Sequence, residues 1–393
     1  MHLVPKRGDS RNLTSLNGVG SKSMNERPKD LASPAANKSV RPALIASERT
    51  LSDYAPFLQH LLVGLADESI PAVLVCPPDR DVDFLLCGNT EVVRHPAIRL
   101  PFLGRENRRR LVEQLLRFKP TVLHCLCESR AALSRHLARQ LGLPYVLMVN
   151  SLSRAIGALS ISAKHCVRII APARSIADDL ATTYPRLAER IEQINVGTFA
   201  EDNSVCFSDS SRLACMVIAH PLDHVADFES FFSAVRHLVI GGYEFAVVIM
   251  GAGRAERPLR RLLAALDLVQ TVTIVPRLQP GRAVLAAGDV FVRPRPSTAF
   301  DPLLLEAMSV GSAVAACKGG VDDLIIENQT AVVFDPADEL SIRASLQRLF
   351  DRPEFARKLA KGAQAYLGAN HSVSNMVSAT LQAYRQAPQG FQQ

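Results

Sequence analysis

Between Arg293 and Gly320 the chain reads "RPRPSTAFDPLLLEAMSVGSAVAACKGG". A strand ends near Val292, a short loop follows, and a helix opens at Pro302 behind the cap residue Asp301. A helix start offers N–H groups and the positive end of a dipole, which is chemistry for holding a phosphate or diphosphate. Yet Pro302 has no N–H and Asp301 brings a carboxylate to the same spot. Glu306 lies among Leu303, Leu304, Leu305, Ala307 and Met308, and a carboxylate in that company needs a partner. Gly251 and Gly253 follow one apolar run, and Gly319-Gly320 follow another beside Lys318. Small residues there let a ligand approach the backbone, or simply let the chain turn. His124, in "TVLHCL", is either a core histidine or a ligand contact.

The elements that must position these residues alternate. Apolar strand candidates stand at 43–47, 71–76, 121–126, 145–150 and 167–172, then at 213–219, 245–251, 271–276, 290–294, 313–317 and 330–334. Helical patterns separate them, among them "RENRRRLVEQLLRF" and "RAALSRHLARQLG". Such alternation predicts parallel sheets covered on both faces. The expected α/β architecture is two Rossmann-like domains facing a cleft. Residues 1–42 read as a disordered basic tail, 43–200 as the N-terminal domain and 201–211 as a polar linker. Residues 212–370 read as the C-terminal domain and 371–393 as a terminal helix and tail.

Composition narrows the function classes. Of 393 residues, 48% are apolar and 21% charged, as in ordinary globular domains. No apolar run approaches the roughly 20 residues of a membrane helix, and no signal peptide is evident. Net charge is +7, but residues 1–42 hold eight Lys/Arg against three acids, so the remaining body is nearly neutral. That argues against nucleic acid as the main partner. The eight cysteines lack zinc-ligand spacing and sit mostly in apolar runs, as reduced thiols of a cytoplasmic protein do.

Three passages resemble the GT-B glycosyltransferases of the large retaining family 4. They are "IIAPARSIADDLATTYPRLAERIEQINVG", "VVIMGAGRAERPLRRLLAALDL" and "PSTAFDPLLLEAMSVGSAVAACKGGVDDLIIENQTAVVFDP". The resemblance implies a nucleotide-sugar donor, UDP- or GDP-linked, bound by the C-terminal domain. It implies a saccharide or lipid-linked acceptor on the N-terminal domain, transfer with retention, and no cofactor. Carried over by position, Glu306 grips the donor ribose and His124 faces the sugar, as the two catalytic candidates. Gly251, Gly253, Arg254, Thr298, Phe300, Asp301, Lys318, Gly319 and Gly320 form the donor site.

The pattern also departs from the family. Thr298 stands where the family has a first glutamate, and Asp301 where it has glycine. After the strand at 213–219, His220 and Val225 replace an Arg and a Lys that neutralise the diphosphate, with His224 beside the second. Two readings follow: a transferase with altered donor contacts, or a non-catalytic GT-B partner subunit in polysaccharide assembly. "PPDRDVDF" contains a D-x-D, a metal motif of other transferases; in a proline-flanked loop it reads as a solvated turn, and no catalytic metal is expected. The basic helix at 104–120 reads either as an ordinary domain helix with a charged outer face or as a peripheral contact with the cytoplasmic face of the inner membrane.

Overall fold

A computed structural model describes residues 40–96, 101–200, 206–209, 211–276 and 281–392. Among these described residues, thirteen strands form two sheets. The first sheet comprises β1 (Pro42–Ile45), β2 (Ala72–Cys76), β3 (Thr90–Arg94), β4 (Val122–Cys125), β5 (Tyr145–Met148), β6 (Cys166–Ala171) and β7 (Ile191–Gln193). The second comprises β8 (Ala214–Ala219), β9 (Phe245–Met250), β10 (Val272–Val275), β11 (Val290–Arg293), β12 (Ala313–Ala316) and β13 (Val332–Val333). Every strand pairing is parallel, with orders β3-β2-β1-β4-β5-β6-β7 and β10-β9-β8-β11-β12-β13. Both are doubly wound Rossmann-like sheets, and together they make the GT-B architecture.

The central strands are buried along their whole length, as "ALI", "AVLVC" and "AVAA" must be when helices cover both faces. The edge strands β3 and β7 carry Glu91, Arg94, Glu192 and Gln193, and their polarity hid them from a reading based on apolar runs. Helix ends obey local chemistry. Ser47 and Thr50 cap one helix reciprocally, and Gly142, at φ 64°, closes the helix Ala131–Leu141.

Strand order reverses between β1 and β4 in the first sheet and between β8 and β11 in the second. At such a switch point the loops beyond the two carboxyl ends diverge and leave a crevice. The tail expected at 1–42 lies outside the described residues up to Ser39, and Pro42 already opens β1. Of the expected linker, Cys206 is buried, and Phe207 N donates to Asp289 Oδ1 at 2.6 Å. The helix Val373–Gln392 returns to the first sheet, where Gln386 Oε1 accepts from Arg168 and Tyr384 reaches β4.

Candidate active site

The two switch points share one cavity of about 580 Å³. One wall comes from loops following β1, β4 and β5: Arg49, Asp53, Tyr54, Glu128 and Ser151. The other comes from loops following β8, β9 and β11: His220, Gly251, and the run from Arg293 to Leu303. Along one edge the walls are joined by backbone pairing. Leu152 N donates to Thr298 O at 2.7 Å, Phe300 N to Asn150 O at 2.9 Å, and Ser151 bridges Ala299 antiparallel. Tyr54 Oη donates to Phe300 O at 3.1 Å. Burial pushes its phenol pKa well above the usual value, so it remains a donor.

Thr298, Phe300 and Asp301 therefore line the cavity, but three of their backbone groups, Thr298 O, Phe300 N and Phe300 O, are committed to the opposite wall. Asp301 caps the helix Pro302–Ser309: its Oδ1 accepts from Leu303 N and Leu304 N, each at 3.1 Å. The N–H groups that would hold an anion already hold this carboxylate. The helix start is self-satisfied.

Glu306 lies elsewhere. It is 3% exposed and absent from the cavity lining. Arg282 Nη1 donates to its Oε2 at 2.7 Å and Thr198 Oγ1 to its Oε1 at 2.9 Å. The same guanidinium nitrogen donates to Ser309 Oγ at 2.9 Å. The partner that its apolar neighbourhood demanded is an arginine of the fold, where a donor ribose was expected. Gln364 Nε2 donates to Ser309 O at 3.3 Å and closes the same corner.

His124 is also displaced from its expected role. Its side chain leaves β4 on the face covered by the helix Val373–Gln392, and its Nδ1 shares a 2.6 Å hydrogen bond with Tyr384 Oη. It is 1% exposed, and burial draws its pKa down to about 3. This is a core histidine that pins the C-terminal helix. The residue that reaches the cavity beyond β4 is Glu128, whose carboxylate accepts from Ser151 Oγ at 2.9 Å and Asn150 N at 3.2 Å.

Of the glycines, Gly251 lines the cavity. A Cβ there would lie 2.1 Å from His220 O, so its smallness lets the loops after β8 and β9 meet. Gly253 makes the same approach to Leu222 O, outside the lining. Gly320 has φ 71°, and a Cβ would lie 1.9 Å from Ser297 O, across the bridge those residues form. Gly319 N donates to Asp322 Oδ2, and Lys318 Nζ stands 3.7 Å from Glu327, both away from the cavity. Arg254 donates to Asp223 O at 3.3 Å on the surface, and His224 is exposed. His220 does line the cavity, 3.5 Å from Asp227, but burial lowers its pKa more than that carboxylate raises it. Of the two histidines named for a diphosphate, His220 lines the cavity and His224 does not, and burial makes His220 a weak cation.

The D-x-D loop serves itself: Asp81 Oδ1 accepts from Asp83 N at 2.9 Å. Among the cavity residues that were not anticipated are Glu128 and the arginines Arg293 and Arg295. The signal for the arginines was present in the "RPRP" that ends β11 at a switch point.

Residues 216–352 match the family described as Glycosyl transferases group 1, and residues 56–198 match Glycosyltransferase Family 4. Among curated relatives, an alpha-D-kanosaminyltransferase of Streptomyces kanamyceticus is 27% identical over 149 residues, which is 37% of this chain and 39% of that protein. A sulfoquinovosyl transferase of Arabidopsis thaliana is 23% identical over 283 residues, 65% of this chain and 54% of that protein. The chain thus spans about half, or less, of the length of these relatives. Among solved structures, Anabaena Alr3699/HepE in complex with UDP and glucose superposes with a TM-score of 0.73 at 13% identity, covering 88% of this chain and 99% of that one. With the fold matched over 88% of the chain and both halves matched by family models, the chain belongs to the group 1 (family 4) GT-B glycosyltransferases.

Proposed function

We propose that the protein transfers a sugar, a hexosyl group, from a UDP- or GDP-linked donor to a saccharide or lipid-linked acceptor, with retention at C1. The observation that carries this reading is the cavity built where the switch points of two facing sheets meet. A neighbour of the same fold was solved with UDP and glucose, which supports a nucleotide-sugar donor. In the reaction the bond between sugar C1 and the diphosphate oxygen breaks, and its electron pair stays on that oxygen. The acceptor oxygen bonds C1 on the same face, and its proton passes to the departing nucleoside diphosphate. The protein's main task is to stabilise the charge that grows on that leaving group.

Roles then follow from the two walls. The wall from the first sheet carries Asp53 and Glu128, carboxylates suited to orient acceptor hydroxyls; the Asp53 charge is balanced by Arg49 at 3.2 Å. The wall from the second sheet carries Arg293, Arg295 and Asp301 and receives the donor. Among the described residues no helix is long and apolar enough to cross a membrane. Peripheral contact with an anionic leaflet, for a lipid-linked acceptor, is supported by the helix Pro101–Phe118, with Arg108, Arg109 and Arg110 near an exposed Leu116. A thermal-shift screen against UDP-, GDP- and ADP-sugars, followed by assay of nucleoside diphosphate release, tests the reading. Absence of both a shift and release with every donor refutes it. The second reading, a GT-B partner subunit without turnover, is favoured by one arrangement: Asp301 fills the helix start while Arg282 engages Glu306. Donor binding without release, in the presence of acceptor extracts, would select it.

A further inference from the structure

The cavity's positive charge comes from the end of β11, on the same wall as the helix start. Arg293 ends β11 and Arg295 follows two residues later, and both line the cavity. Arg293 is 4% exposed. Its guanidinium donates to three carbonyls, Arg295 O at 3.3 Å, Val321 O at 2.9 Å and Gly319 O at 3.4 Å. It forms no ion pair among the described residues. A guanidinium cannot shed its proton, so a formal charge stays buried and hydrogen-bonded to neutral carbonyls, with Asp301 and Asp323 lining the same small recess. Such a charge is stabilised by an anion arriving in the cavity.

Arg295 is anchored differently. It donates to Ala226 O and, at 3.3 Å, to Asp227 O, so its guanidinium lies on the turn Val225–Asp227. The Asp227 carboxylate is 3.9 Å away and is shared with His220. The turn that has Val225 where a cation was expected by position thus receives one in space, from a different strand. The opposite wall holds Glu128 and the balanced pair Arg49–Asp53, so its excess charge is negative. The anionic end of a ligand is therefore directed to the β11 side.

We propose that Arg295, with Arg293 behind it as a positioning residue, binds the diphosphate of the donor and stabilises it as it leaves. This rests on the nucleotide-sugar reading above and names the residues that serve it. The test is calorimetric titration of the full chain with UDP, with uridine as the uncharged control, for wild type, Arg295→Gln and Arg295→Lys. Arg295→Gln should weaken UDP binding by roughly tenfold or more, the worth of one charge-assisted hydrogen bond, and leave uridine unchanged. Arg295→Lys keeps the charge and loses the fork, and should fall between. Arg295→Met, which keeps the packing of the stem, replaces the Gln variant if that lowers Tm. UDP binding equal to wild type in the Gln or Met variant would overturn the assignment while leaving the nucleotide reading intact. Failure of UDP, GDP and ADP alike to bind wild type would overturn both.

Discussion

Asp301 is the residue at which a single atom decides between cap and phosphate cradle. Its Oδ1 occupies the N–H groups of Leu303 and Leu304, and it is half-buried at the cavity wall. Asp301→Asn keeps a capping oxygen and removes the charge, so the helix should lose at most about 1 kcal/mol of dipole interaction. Asp301→Gly removes both, at a capping cost of a few tenths of a kcal/mol, and frees two N–H groups for a ligand. Unit charges 4 Å apart repel by about 1 kcal/mol in water and about 4 kcal/mol at an effective dielectric near 20. A site open to solvent belongs toward the lower figure. Removing the carboxylate should therefore tighten UDP binding by about 1.4 kcal/mol, or tenfold in Kd. The expected order is Asp301→Gly at least as tight as Asp301→Asn, and both tighter than wild type, by calorimetry at low salt. If both variants bind UDP more weakly than wild type, the carboxylate contacts the ligand and the repulsion reasoning is wrong.

Three further outcomes follow from the buried groups. Glu306→Gln should destabilise the fold by about 1–3 kcal/mol and lower Tm, because it removes the charge from a buried carboxylate that accepts from Arg282 and Thr198; a variant that keeps Tm and raises only the donor KM would return Glu306 to the donor site. His124 is neutral when folded, with its pKa near 3 against about 6.5 unfolded, so its contribution is complete above about pH 6.5 and is lost as pH falls toward 3. At pH 5 that loss is about 2 kcal/mol, and Tm measured between pH 5 and 7 should fall less steeply in His124→Gln than in wild type. Gly320→Ala should cost more than about 1 kcal/mol, since φ is 71° and a Cβ would meet Ser297 O; unchanged denaturant midpoints would contradict that geometry.

The fold was legible where apolar periodicity carries it. All eleven expected strands form, in two sheets whose parallel order follows from strand–helix alternation. What escaped were β3 and β7, edge strands half-covered and built on Thr90, Glu91 and Glu192, which look like loop to any reading of buried runs. The C-terminal helix was legible as a helix but not as a partner of the first sheet. Tyr384 meets His124 across 260 residues, and no local pattern encodes such a pairing.

The site was legible as a block, and where single residues fall outside the cavity one physical reason recurs. Position in a motif fixes where a Cα lies, while charge is delivered by side chains several bonds long that can arrive from another strand. Val225 occupies the place expected for a cation, and Arg295 lays its guanidinium on that same turn from beyond β11. Glu306 occupies the place expected for a ribose contact, and Arg282, reaching across from the helix Gly281–Ala286, turns its carboxylate into part of the scaffold. His124 points into the core because β4 alternates its faces and a C-terminal helix covers that one, which leaves the cavity to Glu128 past the strand end. Substitutions that look like losses when read along the chain can therefore be exchanges when read in space. Arg295 and Asp301 are the pair in which that exchange changes the chemistry: the cation stands beyond β11 and the helix start carries a carboxylate, so the proposed anion-binding centre lies at the strand end and not at the helix.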